Sequence, residues 1–184
     1  MKRSMDILLA GLALVLTAPL MLLVGLAIAA ESGAPVLFRQ QRMGRAGRPF
    51  CIYKFRSMVR DAQAIGPYHT GAGDARITRV GRFIRRTSLD ELPQLLNVLK
   101  GEMSLVGPRP DLPVQQSLYA PEDWELRCSV RPGITGLAQA LLRSQASPQQ
   151  RLALDLRYVR ERSLWLDLRI LAWTLRRLAG SGAN

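Results

Sequence analysis

The sequence predicts an α+β protein: a small mixed domain of short strands and several amphipathic helices, preceded by an apolar helix at the amino terminus. Three observations carry this. Residues 7–30 form a run of 24 without one charged side chain. Strand-like and helix-like stretches then follow without the regular alternation of a doubly wound sheet. Finally, 184 residues suffice for one domain with an appendage, since a domain takes roughly 100–200.

The apolar run is first in the chain. As a helix it would measure about 36 Å, more than the ~30 Å of a bilayer core. A secretory signal suits Lys2-Arg3 and the small residues Ala27 and Ala29, but such a signal has an apolar part of only ~7–15 residues. A straight span and a re-entrant helix both fit better. Re-entry is favoured by Pro19 in mid-run, where a helix loses a backbone hydrogen bond. It is also favoured by basic residues on both flanks, Lys2 and Arg3 before and Arg39, Arg42, Arg45 and Arg48 after. Basic flanks stay cytoplasmic, so two of them imply one shared side. Against re-entry, a short tail can translocate, and membrane helices tolerate proline. The residues alone leave both open, and both put the larger basic part on the cytoplasmic face.

Further along, Val36–Phe38 and Phe50–Phe55 read as strands around the turn-rich segment Gly44–Pro49. Residues 66–74, with Gly66, Pro67, Gly71 and Gly73, read as a loop that carries His69. Cations at 76, 79, 82, 85 and 86 fall near helical spacing with no acid among them. A solvated helix face usually mixes signs, so this stripe reads as one that meets phosphates or anionic lipid. Leu89–Leu99 reads as a short helix with Leu92, Leu95, Leu96 and Leu99 on one side. Residues 148–162 form another helix, opened by Ser147 and Pro148. Leu164–Leu178 is a third, with Trp165, Trp173, Arg169, Arg176 and Arg177 suited to a membrane interface or to core packing.

Composition narrows the chemistry. There are 26 basic and 14 acidic residues, a net charge of +12. Residues 1–88 hold 14 Lys/Arg against Asp6, Glu31, Asp61 and Asp74, a local net of +10. Such an excess wants an anionic partner: phosphate, nucleic acid or an acidic membrane face. Cys51 and Cys128 give no disulfide framework. With one histidine, a structural zinc site is nearly excluded, and any metal should be a hard ion held by carboxylates.

The chemistry concentrates in Arg85-Arg86-Thr87-Ser88-Leu89-Asp90-Glu91-Leu92-Pro93. Ser88 and Glu91 match a capping box, which needs no catalytic role. That frame, however, places Pro93 inside the helix, where it is costly. A helix starting at Asp90 puts Pro93 in the tolerant first turn, with Asp90 and Glu91 beside free N–H groups able to bind phosphate. Two carboxylates among arginines would be ionised and could hold Mg²⁺ against a pyrophosphate. In Met103–Pro110, two prolines stiffen the backbone that presents Arg109, as bidentate phosphate binding favours. Arg131-Pro132-Gly133-Ile134-Thr135-Gly136 repeats the idea, its glycines permitting close backbone approach.

Asp90-Glu91, Ser104–Pro110, Val130–Gly136 and Tyr53-Lys54-Phe55-Arg56-Ser57-Met58 together resemble the monotopic phosphoglycosyl transferases, bacterial sugar transferases that begin glycan assembly on a lipid carrier. The resemblance runs from Lys2-Arg3 and Asp6 to Trp165–Ile170. It implies a re-entrant helix broken at Pro19 within an anchor of residues 1–35, and a catalytic domain over 36–184 at the cytoplasmic face of a bacterial inner membrane. The chain looks like the minimal catalytic unit of such enzymes.

The reaction implied moves a phospho-sugar from a UDP-sugar to polyprenol (undecaprenyl) phosphate, with Mg²⁺ and release of UMP. Asp90 matches the nucleophile and Glu91 its dyad partner, both toward the metal. Arg85 and Arg109 match phosphate-binding positions, and Lys54, Arg56 and Arg131 match more weakly. Asp155 matches a further acidic position of open role. The expected partners are UDP-sugar, polyprenol phosphate and a phospholipid bilayer, not nucleic acid, with a homodimer left open. Gly136–Ser144 departs from the Gly-Trp-Ala-Gln-Val-Asn-Gly-Arg-Asn-type segment of many relatives, so the sugar is not inferred from them. The rival reading from charge alone is a membrane-tethered nucleic-acid-binding protein.

Overall fold

The computed structural model describes residues 1–66, 73–142 and 147–180. His69 and the Arg143-Ser144 end of the divergent segment lie outside the described residues.

Helix α1 runs from Lys2 to Ser32. Asp6, Ala10, Val24 and Ile28 are buried, and Ala13, Leu14 and Met21 pack partly against the core. These positions recur every three or four residues, so one stripe of α1 faces the domain along its length. The opposite stripe, including Leu8, Leu12, Val15, Leu16, Leu22 and Leu23, is exposed. Pro19 stays inside the helix instead of ending it. A proline forfeits one hydrogen bond, and the packed stripe on both sides of it continues in phase.

Both ends of α1 are tied to the same domain. At the start, Lys2 Nζ pairs with Asp167 (2.6 Å), and Arg3 donates to the carbonyls of Val98 and Leu99. The buried Asp6 accepts from Ser104 Oγ and from the Leu105 N–H. At the far end, Arg56 Nη2 donates to Ser32 Oγ and to the carbonyls of Ser32 and Gly33. Glu31 accepts the N–H groups of Arg79 and Val80.

Strands β1 (Leu37–Met43) and β2 (Pro49–Phe55) form an antiparallel hairpin in which Phe38 faces Lys54 and Arg42 faces Phe50. β1 extends well beyond the expected Val36–Phe38, because Gln40, Gln41 and Arg42 continue the ladder with polar side chains. After the short α2 (Ala62–Ile65) comes α3 (Arg79–Arg86), capped by Thr78 Oγ1, which accepts from the Gly81 N–H. Arg79, Arg82, Phe83 and Arg86 are exposed on α3, while Ile84 is buried.

The expected helix from Asp90 is divided. Leu89–Glu91 is a 3-10 turn, and α4 spans Gln94–Lys100 with Pro93 just ahead of it. Pro93 has no N–H to give, so the regular helix starts after it. The remaining helices are α5 (Pro121–Cys128), α6 (Leu137–Leu142), α7 (Pro148–Glu161) and α8 (Leu164–Gly180). Ser147 opens α7 through a reciprocal cap with Gln150.

β3 (Ser104–Val106) and β4 (Gly133–Thr135) form a parallel pair inside the two Pro/Gly motifs. Their glycines serve this crossing. A Cβ on Gly133 would collide with the Gly107 backbone, and one on Gly136 with the Gly107 carbonyl. The close approach anticipated for Gly133 and Gly136 is therefore between the two motifs. Around the pair lies the main core, with Val98, Met103, Val106, Tyr158 and Ile170 almost wholly buried.

Candidate active site

The site is assembled from the 3-10 turn, β2 and the loop after β3. Ser88 takes a left-handed conformation (φ 59°) and makes no side-chain cap. The capping box is thus absent, and Glu91 is turned to other work. Its Oε1 accepts from Lys54 Nζ at 2.8 Å and from Arg109 Nη2 at 2.7 Å. Burial opposes the charge on Glu91, but Arg109 and Lys54 outweigh it and hold the carboxyl well below its usual range. Burial lowers the Lys54 ammonium, against the support of Glu91 and Asp90.

Asp90 is different. Its carboxylate has no hydrogen-bond partner among the described residues, and burial plus the neighbouring Glu91 push its pKa up to about 6. Lys54, Arg85 and Arg109 act in the opposite sense. Two adjacent carboxylates therefore have separated titrations, a pattern that marks divided roles. Asp90, Lys54, Arg85 and Arg56 all line one cavity of about 1230 Å³, walled also by β1 and by the segment after α1.

Lys54 is aimed from β2 by a residue that sequence reasoning missed. Asn97, fully buried on α4, accepts the Tyr53 N–H and donates to the Cys51 carbonyl and to Glu102. Its amide adds a rung to the edge of β2 and fixes the residue next to Lys54. A lone Asn between Leu96 and Val98 was the only signal.

Arg109 is fixed by a second unforeseen group. Arg127, 4% exposed, donates from Nη2 to the Arg109 carbonyl at 2.6 Å, and it pairs with Asp111 and Asp155. Asp155 therefore sits behind the site, 1% exposed, with its pKa raised by burial to about 6. It faces Arg127, not the cavity. Arg56 is divided, with Nη2 capping the end of α1 while Nε and Nη1 are buried without partners in the cavity wall. Arg131 is not brought to Asp90. It donates from Nε to the Gly101 carbonyl and borders a separate hollow beside the start of α1.

For a metal, no group of three His, Cys, Asp or Glu exists among the described residues. Mg²⁺ needs less, commonly one or two carboxylates completed by substrate phosphates and water. The unpartnered carboxylate of Asp90 and Oε2 of Glu91 suit that mode.

The profile of the bacterial sugar transferase family matches residues 1–181. The chain belongs to that family. This bacterial sugar transferase is 46% identical over 187 residues to the undecaprenyl-phosphate glucose phosphotransferase of Komagataeibacter xylinus, over 96% of this chain and 35% of that relative. It is also 46% identical to the UDP-glucose:undecaprenyl-phosphate glucose-1-phosphate transferase of Caulobacter vibrioides, over 95% of the chain and 68% of that protein. A UDP-N-acetylgalactosamine-undecaprenyl-phosphate N-acetylgalactosaminephosphotransferase of Aeromonas hydrophila is 44% identical over 100% of the chain and 45% of its own length. The chain thus spans between about a third and two thirds of the length of these curated relatives. Their names differ in the sugar at nearly equal identity.

Proposed function

We propose that this bacterial sugar transferase moves a sugar 1-phosphate from a UDP-sugar to undecaprenyl phosphate through a covalent intermediate on Asp90. The observation that carries it is the unpartnered Asp90 carboxylate in a cationic cavity, beside a Glu91 already neutralised by Lys54 and Arg109. The relatives named as undecaprenyl-phosphate sugar phosphotransferases supply the substrate class. They lend no support to a nucleic-acid-binding role.

In the first step an Asp90 oxygen attacks the sugar-bearing phosphorus of the donor. The bond from that phosphorus to the bridging oxygen breaks, and the oxygen leaves on UMP. In the second, an oxygen of undecaprenyl phosphate attacks the same phosphorus, and the phosphorus–Asp90 bond breaks to regenerate the carboxylate. A carboxylate nucleophile divides one difficult transfer into two. Arg85 and Arg109 stabilise charge on the transferring group. Mg²⁺, held by Asp90 and Glu91 with the donor phosphates, would supply Lewis-acid neutralisation of the pyrophosphate.

The setting proposed is the cytoplasmic face of the inner membrane. The exposed apolar stripe of α1 is buried in one leaflet without crossing the bilayer, because both helix ends are bonded to one domain and the helix runs unbroken through Pro19. The exposed Arg79, Arg82 and Phe83 of α3 lie at the headgroups.

Mass spectrometry of enzyme mixed with a panel of UDP-sugars, without lipid acceptor, tests the chemistry. An adduct on Asp90 with one equivalent of UMP is expected; a modification elsewhere, or none, refutes it. Impermeant labelling of Ser4→Cys in intact cells tests the topology, and labelling from outside refutes the placement of both helix ends on the cytoplasmic side.

A further inference from the structure

A hollow of about 130 Å³ lies beside the start of α1, lined by Lys2, Arg3, Arg45, Arg131, Arg162 and Asp6 among others. The proposed reaction makes no use of it. Two of its cations are already committed. Lys2 pairs with Asp167, and Arg3 spends both terminal nitrogens on the carbonyls that end α4. Asp6 is occupied by Ser104 and the Leu105 N–H.

The other three arginines are not committed. Arg45 donates from Nε to the Ser129 carbonyl and Arg131 from Nε to the Gly101 carbonyl. Their terminal nitrogens, and the whole guanidinium of Arg162, have no hydrogen-bond partner among the described residues. Even with Asp6 and Asp167 charged, the lining retains an excess of three positive charges. Like charges gathered around one hollow repel unless an anion sits between them. Three guanidinium forks match the oxygens of a phosphate.

We infer that this hollow binds a phosphate-bearing anion through Arg45, Arg131 and Arg162, separately from the Asp90 cavity. Its position favours a lipid headgroup as the source. Arg162 lies in the turn between α7 and α8, three residues ahead of the exposed Trp165, and Leu8 on the apolar stripe of α1 starts two residues beyond Asp6. A headgroup phosphate there would place acyl chains against these apolar side chains and tie the start of α1 to the membrane surface.

The test uses the full chain in a neutral detergent. Dihexanoyl-phosphatidylglycerol and inorganic phosphate are titrated separately, with binding read by thermal shift. Charge-assisted hydrogen bonds to phosphate are lost with both guanidiniums, so Arg45→Gln/Arg162→Gln should weaken binding at least about tenfold. Arg109→Gln should leave that binding unchanged. Phosphatidylglycerol binding with these sensitivities assigns a lipid source, and inorganic phosphate binding alone with the same sensitivities assigns a free anion. The inference fails if neither probe binds, or if binding survives Arg45→Gln/Arg162→Gln. It fails equally if binding is lost in Arg109→Gln, which would locate the anion at Asp90. The proposed transferase chemistry stands or falls separately, because neither Arg45 nor Arg162 touches the Asp90 cavity.

Discussion

Arg127 donates to the main-chain carbonyl of Arg109 at 2.6 Å, so the residue that grips Glu91 is itself gripped from behind by a buried guanidinium. The same guanidinium joins Asp111 and Asp155. Glu91 is therefore placed by a relay of ion pairs and one guanidinium–carbonyl hydrogen bond reaching from α7 through α5 to the loop after β3.

Arg127→Met removes the cation between two buried carboxylates and should destabilise the fold by about 3–5 kcal/mol. Arg127→Lys keeps the charge but cannot reach Asp111, Asp155 and the Arg109 carbonyl together. We expect it to fold and to lose at least about tenfold in turnover, equivalent to about 1.4 kcal/mol. Denaturant melts and UMP release measure the two effects, and full turnover in Arg127→Lys would deny the relay a part in activity.

The rate should fall on the acid side. Asp90 must be ionised to attack, and its pKa is pushed up to about 6, so kcat/KM should drop about tenfold per pH unit below that value. Asp155, also raised to about 6, titrates nearby. Retention of the acid limb in Asp155→Asn therefore assigns it to Asp90, and its disappearance assigns it to Asp155.

Stability should move opposite to activity in Asp90→Asn. The folded chain holds the Asp90 proton to about pH 6, while an unfolded aspartate releases it near pH 3.9. The ionised form thus lowers stability above pH 6, and the penalty disappears as the pH falls below about 4. Asp90→Asn should abolish the adduct yet raise stability at pH 7.5 by roughly 1–3 kcal/mol, with the gain vanishing toward pH 4. A melt series across that range checks it, and a loss of stability at neutral pH would contradict it.

Glu91→Gln leaves Lys54 and Arg109 facing each other without their counter-ion. A stability loss of about 3 kcal/mol is expected. The Lys54 amine, already lowered by burial, should fall further and become open to acetic anhydride at neutral pH. Peptide mapping of the acetylated chain reads this directly, and an unreactive Lys54 would show that Glu91 is not its main support.

Much of this protein was legible because the signals are local. The apolar run of residues 7–30, the Ser147-Pro148 helix start and the adjacent Asp90-Glu91 pair each lie within one segment. The stiff support of Arg109 between two prolines is likewise written in consecutive residues. Pro93 also signalled trouble for a continuous helix, although the structure resolves it as a 3-10 turn before α4 and not as a helix from Asp90.

What tertiary structure alone decided concerns partners far apart in the chain. Asn97 reaches Cys51 and Tyr53, Arg127 reaches Asp155, and Lys2 reaches Asp167. No periodicity marks such pairs, because a buried polar side chain is chosen by whichever orphaned group the fold brings to it. The same holds for Arg131, whose motif suggested a phosphate site but whose place in the fold is the hollow by α1. By itself the sequence determined the long apolar helix, the helices opened at Ser147 and Leu164 and where chemistry-bearing residues cluster, while the short helices α2, α5 and α6 carried no periodic signal long enough to read. Packing decided which of those cations meet Glu91, and that the Asp90 carboxylate is left without a hydrogen-bonded partner among the described residues.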